Sequence, residues 1–316
     1  MPHDHDAGSA HASGHGHGFG HAHGPVELSA RDLTPAFRWA VGLNAAYVLI
    51  EAAAGLLIGS LALLADAAHN LTDVAGLLAA WAAAELARRA PTARYTYGLG
   101  RATVLAALLN AIAIMVGVGA VSWEAVRRLG DPIDTPPAAI AIVALLGIGV
   151  NFGTALLFRR DSRSDLNARG AYLHMLADGA VSLAVTLAAL GMMATGWRWL
   201  DPAAALGVGA VIAFSAFDLL RASLRLSLDG VPEGVDAQEV RAWLAAQPGV
   251  RGLHDLHIWA LSATRTALTA HLVMARPPAP GFLTRIAEEL RRRHGIDHVT
   301  IQIEDENEPC ASARCA

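Results

Sequence analysis

At 316 residues, 54% hydrophobic and only 16% charged, the chain falls well below the roughly 25% charge of a typical soluble domain, which excludes an ordinary soluble protein and points to a membrane one. The length accommodates one membrane bundle and one small soluble domain. A formal net charge of −4 argues against a nucleic-acid partner, and every basic residue is arginine, the mark of genomic composition bias rather than of a site.

Residues 1–30 read as a disordered arm: His3, His5, His11, His15, His17, His21 and His23 stand among Gly, Ala, Ser and Asp, with almost nothing apolar to bury. Imidazoles on a tether collect or buffer Zn²⁺ and other borderline metals; the alternative is a dispensable tail. The chain does not open on the basic and apolar regions of a signal peptide. Insertion is therefore expected to start from the first spanning helix.

Six segments then reach the length of about 20 apolar residues that a spanning helix needs: 38–58, 61–86, 102–126, 137–158, 168–194 and 203–224. Residues 31–228 are expected to form a six-helix transmembrane domain. The second span carries His69 and Asp73 four residues apart, which places both on one helix face. The fifth repeats the spacing with His174 and Asp178. Either pair alone is adequately explained as interhelical hydrogen-bond glue. Two such pairs at membrane depth, where ionisable groups are costly and mark ion or proton pathways, instead make a tetrahedral cage of two nitrogens and two oxygens suited to Zn²⁺.

Orientation follows from the arginines, which are retained on the cytoplasmic side. Arg31, Arg38, Arg88, Arg89, Arg94, Arg101, Arg159, Arg160, Arg163, Arg169, Arg221 and Arg225 fall on one side and only Arg127, Arg128 and Arg198 on the other. Both termini are thus expected in the cytoplasm. Of the further acids inside the spans, two carry open readings. Asp66, one turn from His69, reads either as support or entry path for the metal or as a helix-packing hydrogen bond, and Glu51 is similarly open, with a proton path among its readings.

Residues 229–306 turn soluble. Helix 236–247, strands 253–261 and 267–275, helix 280–294 and strand 298–303 give the order α-β-β-α-β, which predicts a ferredoxin-like α+β domain. A core this small benefits from a partner or a metal. His254, His257, His271, His298 and Glu304 are metal-capable side chains on or beside its strands, and strand alternation is expected to put His254 and His257 on opposite faces. Residues 307–316 read as a flexible tail, whose Cys310 and Cys315 imply no oxidising compartment.

The run from Gly59 to Asp73 (GSLALLADAAHNLTD) resembles the second-helix motif of the cation diffusion facilitator family of metal-cation/proton antiporters. Tyr97-Gly98-Leu99-Gly100-Arg101-Ala102 resembles the loop before that family's third helix, Leu173–Asp178 its fifth-helix motif, and Leu228–Gly234 and His254–Trp259 the entry and first strand of its cytoplasmic domain. The resemblance implies that His69, Asp73, His174 and Asp178 form the transport site, with zinc selectivity usual where His occupies the first position. It also implies a homodimer with paired cytoplasmic domains and a metal site near His254, His271 and Glu304. His298, Cys310 and Cys315 resemble positions used by some zinc transporters, although four residues rather than the common two separate the cysteines.

The expected function is export of Zn²⁺ from the cytoplasm across the lipid bilayer in exchange for protons, by alternating access, with Zn²⁺ as substrate and as regulatory ligand and with no organic cofactor. An intramembrane metalloenzyme is disfavoured, because four protein ligands leave no open position for a catalytic water. The alternative of a membrane metal sensor without transport leaves the two buried ligand pairs unexplained.

Overall fold

The computed structural model describes residues 35–159 and 166–306. The His-rich arm, the Cys310/Cys315 tail and the loop arginines Arg160 and Arg163 lie outside the described residues. Six long helices come first: α1 (Pro35–Ile58), α2 (Leu61–Ala87), α3 (Ala102–Gly130), α4 (Pro137–Phe158), α5 (Leu166–Thr195) and α6 (Leu200–Ser227). Among the described residues, α3 to α6 are each long and apolar enough to cross a membrane, while α1 supplies a shorter apolar stretch, Gly42–Ile58. The helix that falls short on composition, α2, is the one that carries Asp66, Asp73 and Glu85.

The α1–α2 reversal explains how so short a link holds. Gly59 takes a positive φ of 73°, open to glycine at no steric cost, and Ser60 caps α2 by accepting from the Leu63 amide. From the first turn of α6, the buried Asp201 accepts from the Leu61 amide at 2.8 Å and from the Ser60 hydroxyl. A carboxylate against the amides of a helix start matches the positive end of the helix dipole. Arg128 of α3 donates to the Gly59 carbonyl at 2.6 Å. Three helices therefore lock this end of the bundle.

The bundle core is built from small and branched residues, among them Ala62, Ala65, Ala141, Ala144, Val185 and Ile212. Large apolar side chains such as Leu57, Trp81, Leu109, Trp123 and Phe214 are exposed instead. That inverts a soluble protein's distribution and suits contact with lipid.

The second unit follows as α7 (Ala237–Ala245), β1 (Val250–Ala260), β2 (Thr266–Met274), α8 (Phe282–His294) and β3 (Ile296–Asp305). The sheet order is β1-β2-β3, antiparallel between β1 and β2 and parallel between β2 and β3, the parallel pair being bridged by α8 as such a crossover requires. Leu268, Leu272 and Ile296 of the sheet join Val240, Leu244, Ile286 and Leu290 of the helices in one core. The alternate residues of β2, Thr269, His271 and Val273, are only partly buried and line the sheet's other face.

One expectation is overturned on β1. Its register pairs His254 with His271 but His257 with Thr269, so one extra residue bulges between them, where Asp255 takes a positive φ of 53°. A bulge shifts the alternation by one. His254 and His257 consequently share the open face rather than lying on opposite ones.

The two units meet where the loop before α3 reaches the sheet domain. The Ala263 amide in the β1–β2 turn donates to Thr103 Oγ1 at 2.9 Å, Arg101 pairs with Asp229, and the ring of Tyr97 meets that of His298 edge-on at 5.6 Å.

Candidate metal centre

Side chains one turn apart on α2 and on α5 face each other in the bundle. His69 Nε2 lies 3.7 Å from Asp73 Oδ2 on its own helix and 3.6 Å from Asp178 Oδ1 across the gap. His174 Nε2 lies 3.6 Å from Asp178 Oδ2 and 3.2 Å from Asp73 Oδ2. Nitrogen and oxygen alternate around this ring. A tetrahedral Zn²⁺ with bonds of about 2.0–2.2 Å sets neighbouring donors about 3.3–3.6 Å apart. All four observed edges fall close to that spacing. The ring is open across its middle, with imidazole centroids 6.3 Å apart. Asp178 is its most enclosed member, its side chain 3% exposed against 32% for His174.

A second cluster sits on the open face of the sheet. His254 on β1 stands directly opposite His271 on β2, and Glu304 on β3 pairs with Val273, two residues along and on the same face. Glu304 Oε2 lies 2.8 Å from His254 Nε2, and Oε1 lies 2.8 Å from His271 Nδ1. The His271 contact is close yet off the line that a hydrogen bond needs, as when two donor atoms turn toward a common point. Among the described residues these three alone bring metal-binding atoms all within 4.8 Å of one another. Two nitrogens and an oxygen at this separation fit Zn²⁺ with one position left over.

The remaining histidines are placed apart. His257 meets Asp255 at 3.1 Å, and Asp255 in turn stands 3.6 Å from His271, so His257 borders the cluster without joining it. His298 pairs with Ala267 on the sheet, four residues from His271 along β2, and packs on Tyr97. Asp66 accepts from Asn70 on its own helix and from Ser182 on α5. Sequence reasoning missed Ser182 and Tyr47, both buried in the bundle. The available signal was that Ser182 follows Asp178 by one helical turn.

Both parts of the chain match known families. Residues 38–226 match the family described as cation efflux transmembrane domain, and residues 232–306 that described as cation efflux protein, cytoplasmic domain. The chain is 37% identical over 280 residues to the metal cation efflux system protein CzcD of Cupriavidus metallidurans, covering 88% of each. It is 36% identical over 318 residues to the zinc transporter ZitB of Escherichia coli, covering 100% of this chain and 96% of that one. To the cadmium, cobalt and zinc/H(+)-K(+) antiporter of Bacillus subtilis it is 33% identical over 266 residues, covering 82% and 85%. With both halves matched and these relatives aligned along most of its length, the chain belongs to the cation efflux, or cation diffusion facilitator, family.

Proposed function

We propose that this protein is a divalent metal cation/proton antiporter that exports Zn²⁺ by preference from the cytoplasm, by alternating access around His69, Asp73, His174 and Asp178. The observation that carries the reading is the ring of imidazole-to-carboxylate distances of 3.2 to 3.7 Å between α2 and α5. Relatives named zinc transporter and cadmium, cobalt and zinc/H(+)-K(+) antiporter support it. Imidazole ligates only when neutral, and an ordinary histidine pKa of about 6.5 lets protons compete with metal in the physiological range. Four protein donors leave no open coordination position, which favours carriage over catalysis.

In this reading six helices span the bilayer, α1 and α2 completing the four whose apolarity is sufficient by itself, and both termini are cytoplasmic in line with the arginine distribution. Residues 229–306 form a ferredoxin-like domain that pairs in a homodimer. Zn²⁺ held by His254, His271 and Glu304 regulates it; ligation from three separate strands ties metal binding to the domain's stability.

The test is zinc flux into proteoliposomes with and without an imposed pH gradient. Flux accelerated by a gradient that draws protons against the metal is expected; flux indifferent to the gradient overturns antiport.

A further inference from the structure

Beside the three donors of the sheet cluster stands a carboxylate to which the metal reading assigns no role. Asp255 follows His254 on β1, at the bulge, where its backbone takes a φ of 53°. Only glycine, and to a lesser degree Asn and Asp, adopt that conformation readily. Strained backbone of this kind persists where the surroundings hold it, and it gathers at functional sites.

The bulge decides where the carboxylate goes. Regular alternation would turn Asp255 to the face opposite His254, the face on which Leu253 packs against the domain core. With one extra residue in the strand, Asp255 instead reaches the open face, and its two oxygens take separate partners. His257 Nε2 lies 3.1 Å from Oδ1, within hydrogen-bond reach. His271 Nε2 lies 3.6 Å from Oδ2.

His271 is thereby flanked by carboxylates at both ring nitrogens. Its Nδ1 lies 2.8 Å from Glu304 Oε1 and is buried without a hydrogen bond, while Nε2 faces Asp255. A neutral imidazole carries one N–H, and the other nitrogen offers the lone pair that binds metal. An N–H at Nδ1 would point toward Glu304 and close the ring to an ion shared with His254. A carboxylate beside Nε2 favours the N–H there and frees Nδ1. Ligating histidines ordinarily give their second N–H to a carboxylate, a carbonyl or water, and that partner fixes tautomer and ring orientation. Asp255 itself lies outside the group of donors that meet within 4.8 Å, so it acts on the ring and not on the ion. His257, its side chain 65% exposed, holds the carboxylate from the solvent side.

We propose that Asp255 is a positioning residue of the sheet metal site: it keeps the N–H of His271 on Nε2, so that Nδ1 is offered to zinc together with His254 and Glu304. The bulge in β1 exists to bring it there. This inference rests on the reading of the cluster as a zinc site and adds to it the residue that sets its geometry.

The experiment measures zinc affinity by equilibrium dialysis on the full chain, on Asp255→Asn and on Asp255→Gly, with Glu304→Gln as the blank that isolates the sheet site from every other zinc-binding group. Asn and glycine both accept a positive φ. The bulge is therefore expected to survive, and the zinc-free melting temperature in detergent to stay within about 2 °C of the parent's. Affinity at the sheet site should fall about tenfold or more in both variants. With Co²⁺ as probe, the visible bands of the same site should keep their positions and intensity at saturation in Asp255→Asn, because its donors are unchanged. Unaltered affinity, an affinity loss accompanied by a melting temperature several degrees lower, or shifted cobalt bands, which would make Asp255 a ligand, overturns the proposal. If Glu304→Gln binds as much zinc as the parent, the reading of the cluster as a zinc site fails first, and the role of Asp255 falls with it.

Discussion

His174 Nε2 stands 3.2 Å from Asp73 Oδ2, a contact that ties α5 to α2 and is shorter than either imidazole's distance to the carboxylate on its own helix. The i, i+4 pairs thus act less as pairs than as corners of one ring. Removing any corner leaves three donors and, for an aspartate, one negative charge fewer to offset the metal.

Asp73→Ala and Asp178→Ala are therefore expected to lower zinc affinity by about 100-fold or more, since loss even of groups that only support a ligand costs 10- to 100-fold. Membrane insertion should be unchanged. Zinc binding to the purified variants, beside their membrane yield, checks this, and a folded variant with normal affinity removes the ring as the transport site.

Asp201 answers for stability rather than for metal. Its carboxylate takes the Leu61 amide and the Ser60 hydroxyl across from α6 to α2, so Asp201→Ala removes a cap supplied by a neighbouring helix. The expected cost is about 1–2 kcal/mol. A lower melting temperature in detergent with unchanged zinc affinity is the predicted pairing, and an unchanged melting temperature argues against the capping role.

Glu304 bridges both imidazoles of the sheet cluster at 2.8 Å. Glu304→Gln keeps the shape but loses the charge, and the full chain should then bind one Zn²⁺ fewer per protomer while transport-site affinity is retained. Equilibrium dialysis counts the ions. An unchanged count means that the cluster is only a hydrogen-bonded patch on the sheet.

On α8, Glu289 accepts from Arg292 and Arg293, which hold its carboxyl down at about 2 from the ordinary 4.5. A lowered folded-state pKa contributes stability above the unfolded value and loses it as pH falls from about 4.5 to about 2. The Glu289 side chain is 29% exposed at the surface, and solvent screening keeps the contribution small. Glu289→Gln should melt slightly below the parent at neutral pH and together with it at the acid end. A gap that widens on acidification contradicts the sign.

Much of this was legible because it depends on spacing along one element. Apolar length marked the helices, and i, i+4 repetition marked the metal donors on α2 and α5. What stayed hidden depends on how elements meet. Nothing in the sequence joins Asp66 to Ser182, which meet only when α2 and α5 pack. The bulge at Asp255 was equally silent, because a lone aspartate, one of the few side chains that tolerate a left-handed backbone, gives no signal of the kind glycine gives. One extra residue there reversed the expected face of His257.

Selectivity among metals is expected to hinge on His69. Its Nε2 sits almost equally far from Asp73 Oδ2 and Asp178 Oδ1, at 3.7 and 3.6 Å, so the imidazole closes the ring between two carboxylates. His69→Asp withdraws a bulky ring, shortens the reach of the donor and puts a third carboxylate at the site. Softness alone argues against Cd²⁺, since oxygen is a harder donor than imidazole nitrogen. Size and coordination number argue the other way, because a carboxylate binds through one or two oxygens and a larger opening admits a larger ion. The second effect should dominate where the ring has been widened. The variant's ratio of Cd²⁺ to Zn²⁺ flux in proteoliposomes is expected to rise by about threefold or more over the parent's. An unchanged or lower ratio would mean that the discrimination is set elsewhere in the ring.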